Sequence, residues 1–389
     1  MRDAGAVRGK RVLLREDLNV PMKDGAVGDE TRILATLETL RWLGDRGAKT
    51  VILSHLGRPD GKPNPKYSLR PVAARLAERL GRPVTFVDDC VGPAAVAASH
   101  AVADGGFVLF ENVRFHAGEE ANDPAFAREL AQSGDLYVND AFGTAHRAHA
   151  STVGVASDLP AYAGLLMEAE LAALTKLTVN PVQPFVCAIG GAKVADKVGV
   201  FENLLARVDA FVIGGGMANT FLAAKGVDVG SSLRDPDLAP AASIVAHAAA
   251  KGVTLHLPVD AVVADSFGAD DTATTVALAD VGARMILDIG PVTAQNYATV
   301  LRGAKTIVFN GPMGVYEKAP YQGGTRVVGE AIAAATRAGA TSVVGGGDAA
   351  AAAAELGFAA AMTHVSTGGG ATLEFLEGKI LPGVAALEG

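Results

Sequence analysis

The chain has 389 residues, 49% of them hydrophobic, and a formal net charge of −8 at pH 7. That length suggests two domains, or three, with ample material for their cores, and the acidic balance argues against a general nucleic-acid surface. No apolar run is long and unbroken enough for a transmembrane helix, and the two cysteines, Cys90 and Cys187, give neither a disulfide framework nor a Cys/His metal spacing.

The N-terminal MRDAGAVRGKR lacks an apolar signal region, which predicts a cytoplasmic protein. The first strand-like run, RVLLREDLNVP, places Arg15, Asp17 and Asn19 at alternate positions, so that they face one way at its end. Asp17 and Asn19 there suit a substrate hydroxyl or carboxylate. Arg32 follows near the start of a helical run, 30–47. In TVILSHLGRP, His55 and Arg58 sit in a tight turn whose backbone Gly57 and Pro59 fix. A second helical run, 69–81, precedes FVLFENVRF, which ends on Arg114, and LYVNDAFGTAHRAH closes with His146, Arg147 and His149.

Fifteen of the twenty-one arginines but five of the thirteen lysines precede residue 170. The planar guanidinium fork suits carboxylate and phosphate recognition. A dense His/Arg cluster at several strand ends is costly to assemble unless an anion neutralises it. Helix capping or local hydrogen bonding is the alternative for His146 or His149 taken alone. Their His-x-x-His spacing lacks the accompanying carboxylates or cysteines of a metal site.

A helical run with Met167, Leu171, Leu174 and Leu177 on one face spans 165–181 and ends at Asn180-Pro181, because a residue before proline avoids the α region. It marks the expected domain boundary and a natural hinge; a crossover helix inside one large domain is the alternative.

Beyond it the strand ends turn glycine-rich. Cys187 lies inside an apolar strand and reads as a core residue. GGAKVADK is expected to place Lys193 and Lys197 on one face of a helix opened by a glycine turn, where backbone N–H groups and the helix N-terminus favour phosphate. Two solvated lysines are the alternative. AFVIGGGMANT, TIVFNGPMG and SVVGGGDAAA follow, and the last puts Asp348 in the first turn of a helix. Asp348 there is either a cap or a ligand for Mg²⁺ shared with nucleotide phosphates. VSTGGGATLEFLEG opens one more short helix at a glycine turn.

The βα alternation throughout predicts an α/β chain of parallel sheets with helices on both faces. Ligands in such sheets bind beyond the carboxyl ends of the strands. One half thus reads as built for a small anionic substrate and the other for a nucleotide, which points to phosphoryl transfer. Gly345, Gly347 and Ala350 also fit G-x-G-x-x-A, the only feature favouring an NAD-dependent dehydrogenase.

Taken together, VLLREDLNVP, SHLGRP, ENVRF, GTAHRAHAS, GGAKVADK, VIGGGMANTF, FNGPMGVYE, GGGDAAA and VSTGGGA resemble the phosphoglycerate kinases, in that family's order and over nearly the whole chain. The resemblance implies two doubly wound, Rossmann-like domains joined by a hinge helix: a 3-phosphoglycerate domain at 1–167, the hinge at 168–180, a nucleotide domain at 181–368, and a tail at 369–389 returning toward the first domain. It implies transfer of a phosphoryl group from 1,3-bisphosphoglycerate to ADP with Mg²⁺, by a monomer without nucleic-acid or membrane partners. Asp17 and Asn19 would hold the glycerate. Arg32, His55, Arg58, Arg114 and Arg147 would hold its phosphate or carboxylate, with His149 in support. Lys193 and Lys197 would contact the transferring phosphoryl and the nucleotide phosphates. The turn at Gly214 and Gly215 would border the adenine, with Asn310 and Glu317 at the sugar and phosphates. Gly346, Gly347 and Asp348 would hold phosphates and Mg²⁺, and Gly369 and Gly370 would offer backbone donors, so that Arg32, the two lysines and the N–H groups of Gly347, Gly369 and Gly370 do the catalytic work. Ala349 departs from the family's usual Thr or Ser, losing a hydroxyl contact but keeping its backbone N–H. A catalytically silent nucleotide-binding protein of the same fold is the reading that rests on this departure.

Overall fold

A computed structural model describes residues 1–388. The chain divides into two compact units, Met1–Leu171 with Ile380–Gly389, and Ala172–Lys379.

The first unit is built on a six-stranded sheet, all parallel, in the order Val84–Val87, Phe107–Phe110, Lys49–Leu53, Arg11–Arg15, Leu136–Asn139, Ala161–Ala163. Successive residues of a strand point to opposite faces, and here both faces are covered. Val12, Leu14, Ile52 and Leu109 bury against Leu37, Leu40 and Leu76 of the helices Thr31–Asp45 and Arg70–Leu80. Leu13, Val51, Val108 and Phe110 bury against Ala95, Phe126 and Leu130 of the helices Gly92–Ala101 and Pro124–Ala131. Two apolar layers per strand account for the nearly unbroken apolar runs of the sequence. The end of the chain belongs to this unit: Gly383 N donates to Ala145 O at 2.8 Å, and Leu387 packs on the second layer.

The second unit repeats the design with the parallel order Thr254–His256, Ala210–Ile213, Phe185–Ile189, Thr306–Asn310, Thr341–Val344, His364–Val365. Val186, Val212, Ile307 and Phe309 face helices Pro291–Gly303 and Gly323–Arg337, while Phe211 on the other face meets Phe201 with ring centroids 4.9 Å apart. Both sheets are doubly wound, as the sequence predicts. An antiparallel sheet of Asp260–Ala264 between Thr274–Ala277 and Met285–Ile289 is an addition that βα alternation does not anticipate. Its edge strand, Thr274–Ala277, is mostly exposed and so carries no apolar run to betray it.

The helix Leu165–Thr178 crosses the division between the units. Its first turn is fixed by Asp140, whose Oδ1 accepts from Met167 N at 3.0 Å. It ends before Asn180, which takes a left-handed φ of 49°. Met167, Leu174 and Leu177 are fully buried.

Candidate active site

In the first unit the strand Arg11–Arg15 stops at Arg15, so Asp17 and Asn19 lie just past it in an extended segment whose alternate residues, Leu18 and Val20, are buried. Asp17 Oδ1 accepts from Arg32 Nη1 at 3.2 Å, and the same Nη1 donates to Asn19 O at 2.7 Å. Asn19 Oδ1 accepts from Gly57 N at 2.9 Å, and Gly57 O accepts from Arg114 Nη1 at 2.8 Å. Gly57 holds φ at 62°, and a Cβ there would lie 2.3 Å from Tyr67, so the turn that links Asn19 to Arg114 needs glycine. These bonds gather Asp17, Asn19, Arg32, His55 and Arg114 at the carboxyl end of one sheet. Arg58 stands exposed on the same turn. Arg147 Nε donates to His146 Nε2 at 3.1 Å, and its charge acts on His55, Arg114 and His149.

Positive charge dominates the electrostatics here. Arg114 is buried, and its Nη2 has no hydrogen-bond partner among the described residues. Burial, opposed by Glu120 and reinforced by Arg15, lowers its pKa to about 10. Burial and then the guanidiniums of Arg15 and Arg114 keep His55 neutral, well below the usual imidazole range. Burial and the neighbouring arginines bring His149 to about 4.

Sequence reasoning assigned no role to the network underneath. Arg15 is fully buried; its Nε donates to Ser151 Oγ at 2.8 Å and its Nη2 lies 3.1 Å from His55 Nδ1. Ser151 Oγ donates to Glu119 Oε1 at 2.6 Å, and Ser151 N to Oε2 at 2.9 Å. Glu119, also fully buried, lies 3.8 Å from His149 Nδ1. The partners are far apart in sequence, and only Arg15, as one of three alternate polar residues at a strand end, carries a local signal.

In the second unit the two lysines do not share a helix face. The helix is short, Val198–Leu204; Lys193 is exposed in the loop before it and Lys197 ends a 3₁₀ turn, Ala195–Lys197. Asp235 Oδ2 accepts from both Val194 N (2.8 Å) and Ala195 N (3.2 Å) at the start of that turn, and Lys197, with φ −129° and ψ 11°, separates it from the α-helix. Lys197 Nζ instead donates to Gly190 O and Asn310 O, each at 2.7 Å, which ties two neighbouring strand ends. Burial lowers its pKa to about 8 despite the opposing Cys187 and Asp348. Gly190 is required by contact: a Cβ would lie 1.9 Å from Pro312 O.

Asn310 is buried; its Nδ2 donates to Gly345 O at 2.7 Å, and its Oδ1 has no partner among the described residues. Gly346, with φ 103°, leads into helix Gly347–Glu355, so the N–H groups of Gly347, Asp348 and Ala349 lie in the first turn, free of intrahelical bonds. The Ala349 methyl is buried in the apolar core. Gly369 likewise precedes helix Gly370–Leu376. A cavity of about 520 Å³ is walled by Gly215, Gly216, Leu222 and Met285, bordered by Glu317, and reaches the helix Gly347–Glu355 at Asp348. Gly214 lies behind this wall: a Cβ on it would meet Met313 at 2.6 Å.

Comparison with known proteins agrees along the whole chain. The phosphoglycerate kinase profile matches residues 1–379. The chain belongs to the phosphoglycerate kinase family. It is 55% identical to the phosphoglycerate kinase of Chloroflexus aurantiacus over 98% of this chain and 96% of that protein, and 53% identical to that of Moorella thermoacetica over 98% and 97%. Among solved structures it is similar to phosphoglycerate kinase from Coxiella burnetii, with a TM-score of 0.90 at 43% identity over 100% of this chain and 98% of that one. The phosphoglycerate kinase from Pyrococcus horikoshii gives 0.83 at 34% identity over 98% and 97%. As a member of the family the chain is a kinase of glycolysis, transferring a phosphoryl group between 1,3-bisphosphoglycerate and ADP. Nothing in these comparisons favours a dehydrogenase. No helix of the described residues is long and apolar enough to cross a membrane.

Proposed function

We propose that the first unit holds the glycerate substrate and the second the nucleotide, and that the reaction runs by positioning and charge neutralisation alone. The observation that carries the first assignment is Arg114, a buried guanidinium with an unpartnered Nη2 among further cationic side chains at a sheet's carboxyl end. A buried donor without a partner calls for an acceptor, and the surplus positive charge selects an anion. Asp17 and Asn19 hold the glycerate, while Arg32, His55, Arg58, Arg114, Arg147 and His149 surround its phosphate and carboxylate.

In the second unit the cavity takes the nucleotide. Its apolar wall receives the base beside Gly215, and the phosphates run to the free N–H groups of Gly347, Asp348 and Ala349. Ala349 acts through its backbone, its methyl being buried. Lys197 keeps one of its three N–H donors for a phosphate oxygen after serving two carbonyls, and exposed Lys193 reaches the transferring group. Asn310 shapes the phosphate turn through Gly345, and Glu317 lies on the sugar side.

Mg²⁺ fits this donor set: Asp348 is an exposed carboxylate on the cavity beside a phosphate-binding helix start, and Mg²⁺ is characteristically held by one or two carboxylates together with substrate phosphates. When bound it neutralises phosphate charge. The acyl phosphate is already a reactive donor, so no covalent enzyme intermediate is required. Arg32, Lys193 and the backbone donors of Gly347, Gly369 and Gly370 stabilise the equatorial oxygens in flight. Transfer needs both ligands brought together, so joint binding is expected to reduce the radius of gyration in solution scattering. The protein is proposed to work as a cytoplasmic monomer.

The test is ATP consumption with 3-phosphoglycerate, coupled to removal of the acyl phosphate. Turnover that vanishes without Mg²⁺ or without 3-phosphoglycerate supports the reading. Absent turnover in a folded chain that still binds nucleotide would instead establish a silent binder and make Ala349→Thr the first reversion.

A further inference from the structure

Among the described residues, metal-donor side chains of three different chemistries converge in the first unit, away from the cationic cluster's hydrogen bonds. Ligand atoms of Asp89, Cys90 and His116 all lie within 4.8 Å of one another. Asp89 and Cys90 precede helix Gly92–Ala101, and His116 follows the 3₁₀ turn Val113–Phe115. The donors are already held in place. Asp89 Oδ1 accepts from Cys90 N at 2.7 Å and lies 2.8 Å from His116 Nε2, and the His116 ring stacks on Phe126 with centroids 5.0 Å apart. Cys90 is 1% exposed.

We infer that Asp89, Cys90 and His116 form a binding site for a borderline-soft divalent cation of the Zn²⁺ type. The sulfur–nitrogen–oxygen donor set discriminates against Mg²⁺ and Ca²⁺, which take oxygen ligands. Zn–S bonds of about 2.3 Å and Zn–N bonds of about 2.0 Å place tetrahedral donors roughly 3.5 Å apart, a small side-chain adjustment from the spacing present. Three protein ligands leave a fourth position for water, and a cavity of about 320 Å³ lined by Asp89, Glu111 and His116 gives solvent access. On binding, the Cys90 thiol releases its proton to solvent as the S–Zn bond forms, and His116 gives a ring-nitrogen lone pair to the metal instead of bonding Asp89. Affinity therefore rises with pH. The ion ties the segment before helix Gly92–Ala101 to the segment that carries Arg114, two residues from His116. The competing account is a plain Asp89–His116 ion pair beside a core cysteine.

Co²⁺ is the probe, because a tetrahedral Co²⁺–thiolate gives an intense near-ultraviolet charge-transfer band and visible d–d bands. Titrated into the intact reduced chain, Co²⁺ is expected to give both at one equivalent, and Zn²⁺ to displace it and raise the thermal midpoint. Cys90→Ser should abolish the charge-transfer band. His116→Ala, at a partly exposed side chain, should weaken Co²⁺ binding at least tenfold with unchanged far-ultraviolet circular dichroism. No band in the unaltered chain overturns the site. So does a band that persists in Cys90→Ser, since the chain's only other cysteine is Cys187. If Cys90→Ser fails to fold, His116→Ala decides alone: Co²⁺ affinity equal to that of the unaltered chain refutes the proposal.

Discussion

Lys197 offers a test of the nucleotide site that needs no activity. Burial lowers its pKa from 10.5 to about 8, so the folded chain disfavours the ammonium by about 3 kcal/mol relative to water. A phosphate beside Nζ reverses that penalty and returns the pKa toward its ordinary value. Below pH 8 the ammonium is present in both free and bound chains, and affinity does not change on its account. Above pH 8 the free chain loses the proton and must regain it on binding, so affinity falls. With full recovery of the ordinary pKa, ADP binds roughly thirtyfold more weakly at pH 9.5 than at pH 7. Isothermal titration across that range measures the slope. Lys197→Met should flatten it; because the variant also leaves Gly190 O without its lysine donor, at about 1–3 kcal/mol, while Asn310 O keeps the N–H of Gly190, the slope rather than absolute affinity is the readout. A flat profile in the unaltered chain, or an equal slope in Lys197→Met, would show that Lys197 does not meet the phosphates.

Three further outcomes are expected. Arg32→Ala and Lys193→Ala should lower turnover by about 10³-fold or more with thermal midpoints little changed, since neither side chain is buried; near-normal turnover in either removes that residue from the chemistry. Gly190→Ala should cost about 3 kcal/mol by urea unfolding, because its Cβ would be forced onto the backbone oxygen of Pro312 at 1.9 Å; unaltered stability would mean the strand ends can part. His149 should titrate near pH 4 in the free chain, from its ring-proton resonances, and higher with 3-phosphoglycerate bound. Because the unfolded imidazole takes up its proton near 6.5 and the folded one only near 4, this group removes stability as pH falls through that window; an ordinary pKa in the free chain would refute the burial and guanidinium crowding that lower it.

Much of this was legible in the sequence because a parallel sheet leaves a direct trace. Strands buried on both faces read as unbroken apolar runs, and their carboxyl ends are where polar residues resume. Arg15 to Asn19, His55 to Arg58, Arg114, and Gly345 to Asp348 were therefore visible before any fold. What the sequence hid was set by distant partners. Lys193 and Lys197 have helical spacing, but the α-helix starts only at Val198, after a 3₁₀ turn whose first N–H groups are held by Asp235, about forty positions on. The antiparallel sheet of 260–289 stays hidden because its edge strand, Thr274–Ala277, is mostly exposed and carries no apolar run. Asp89, Cys90 and His116 show no metal spacing because two segments must fold together before they meet.

The division of arginine and lysine between the halves has a structural cause once Arg15 and Lys197 are compared. Arg15 is buried in the half proposed to bind the anion, where every donor must be served or the burial is costly; its fork reaches Ser151 and His55 from one fixed plane, and Glu119 compensates its charge through Ser151. A guanidinium keeps its proton under such burial, whereas an ammonium in that setting would lose it. Lys197 occupies the opposite situation: a single nitrogen between two carbonyls, its charge weakened by burial until a phosphate arrives. The arginine half is thus charged before its ligand binds and attracts an anion at any working pH. Above pH 8 the lysine site regains its charge only with the nucleotide, which makes the nucleotide side the one whose affinity should respond to pH.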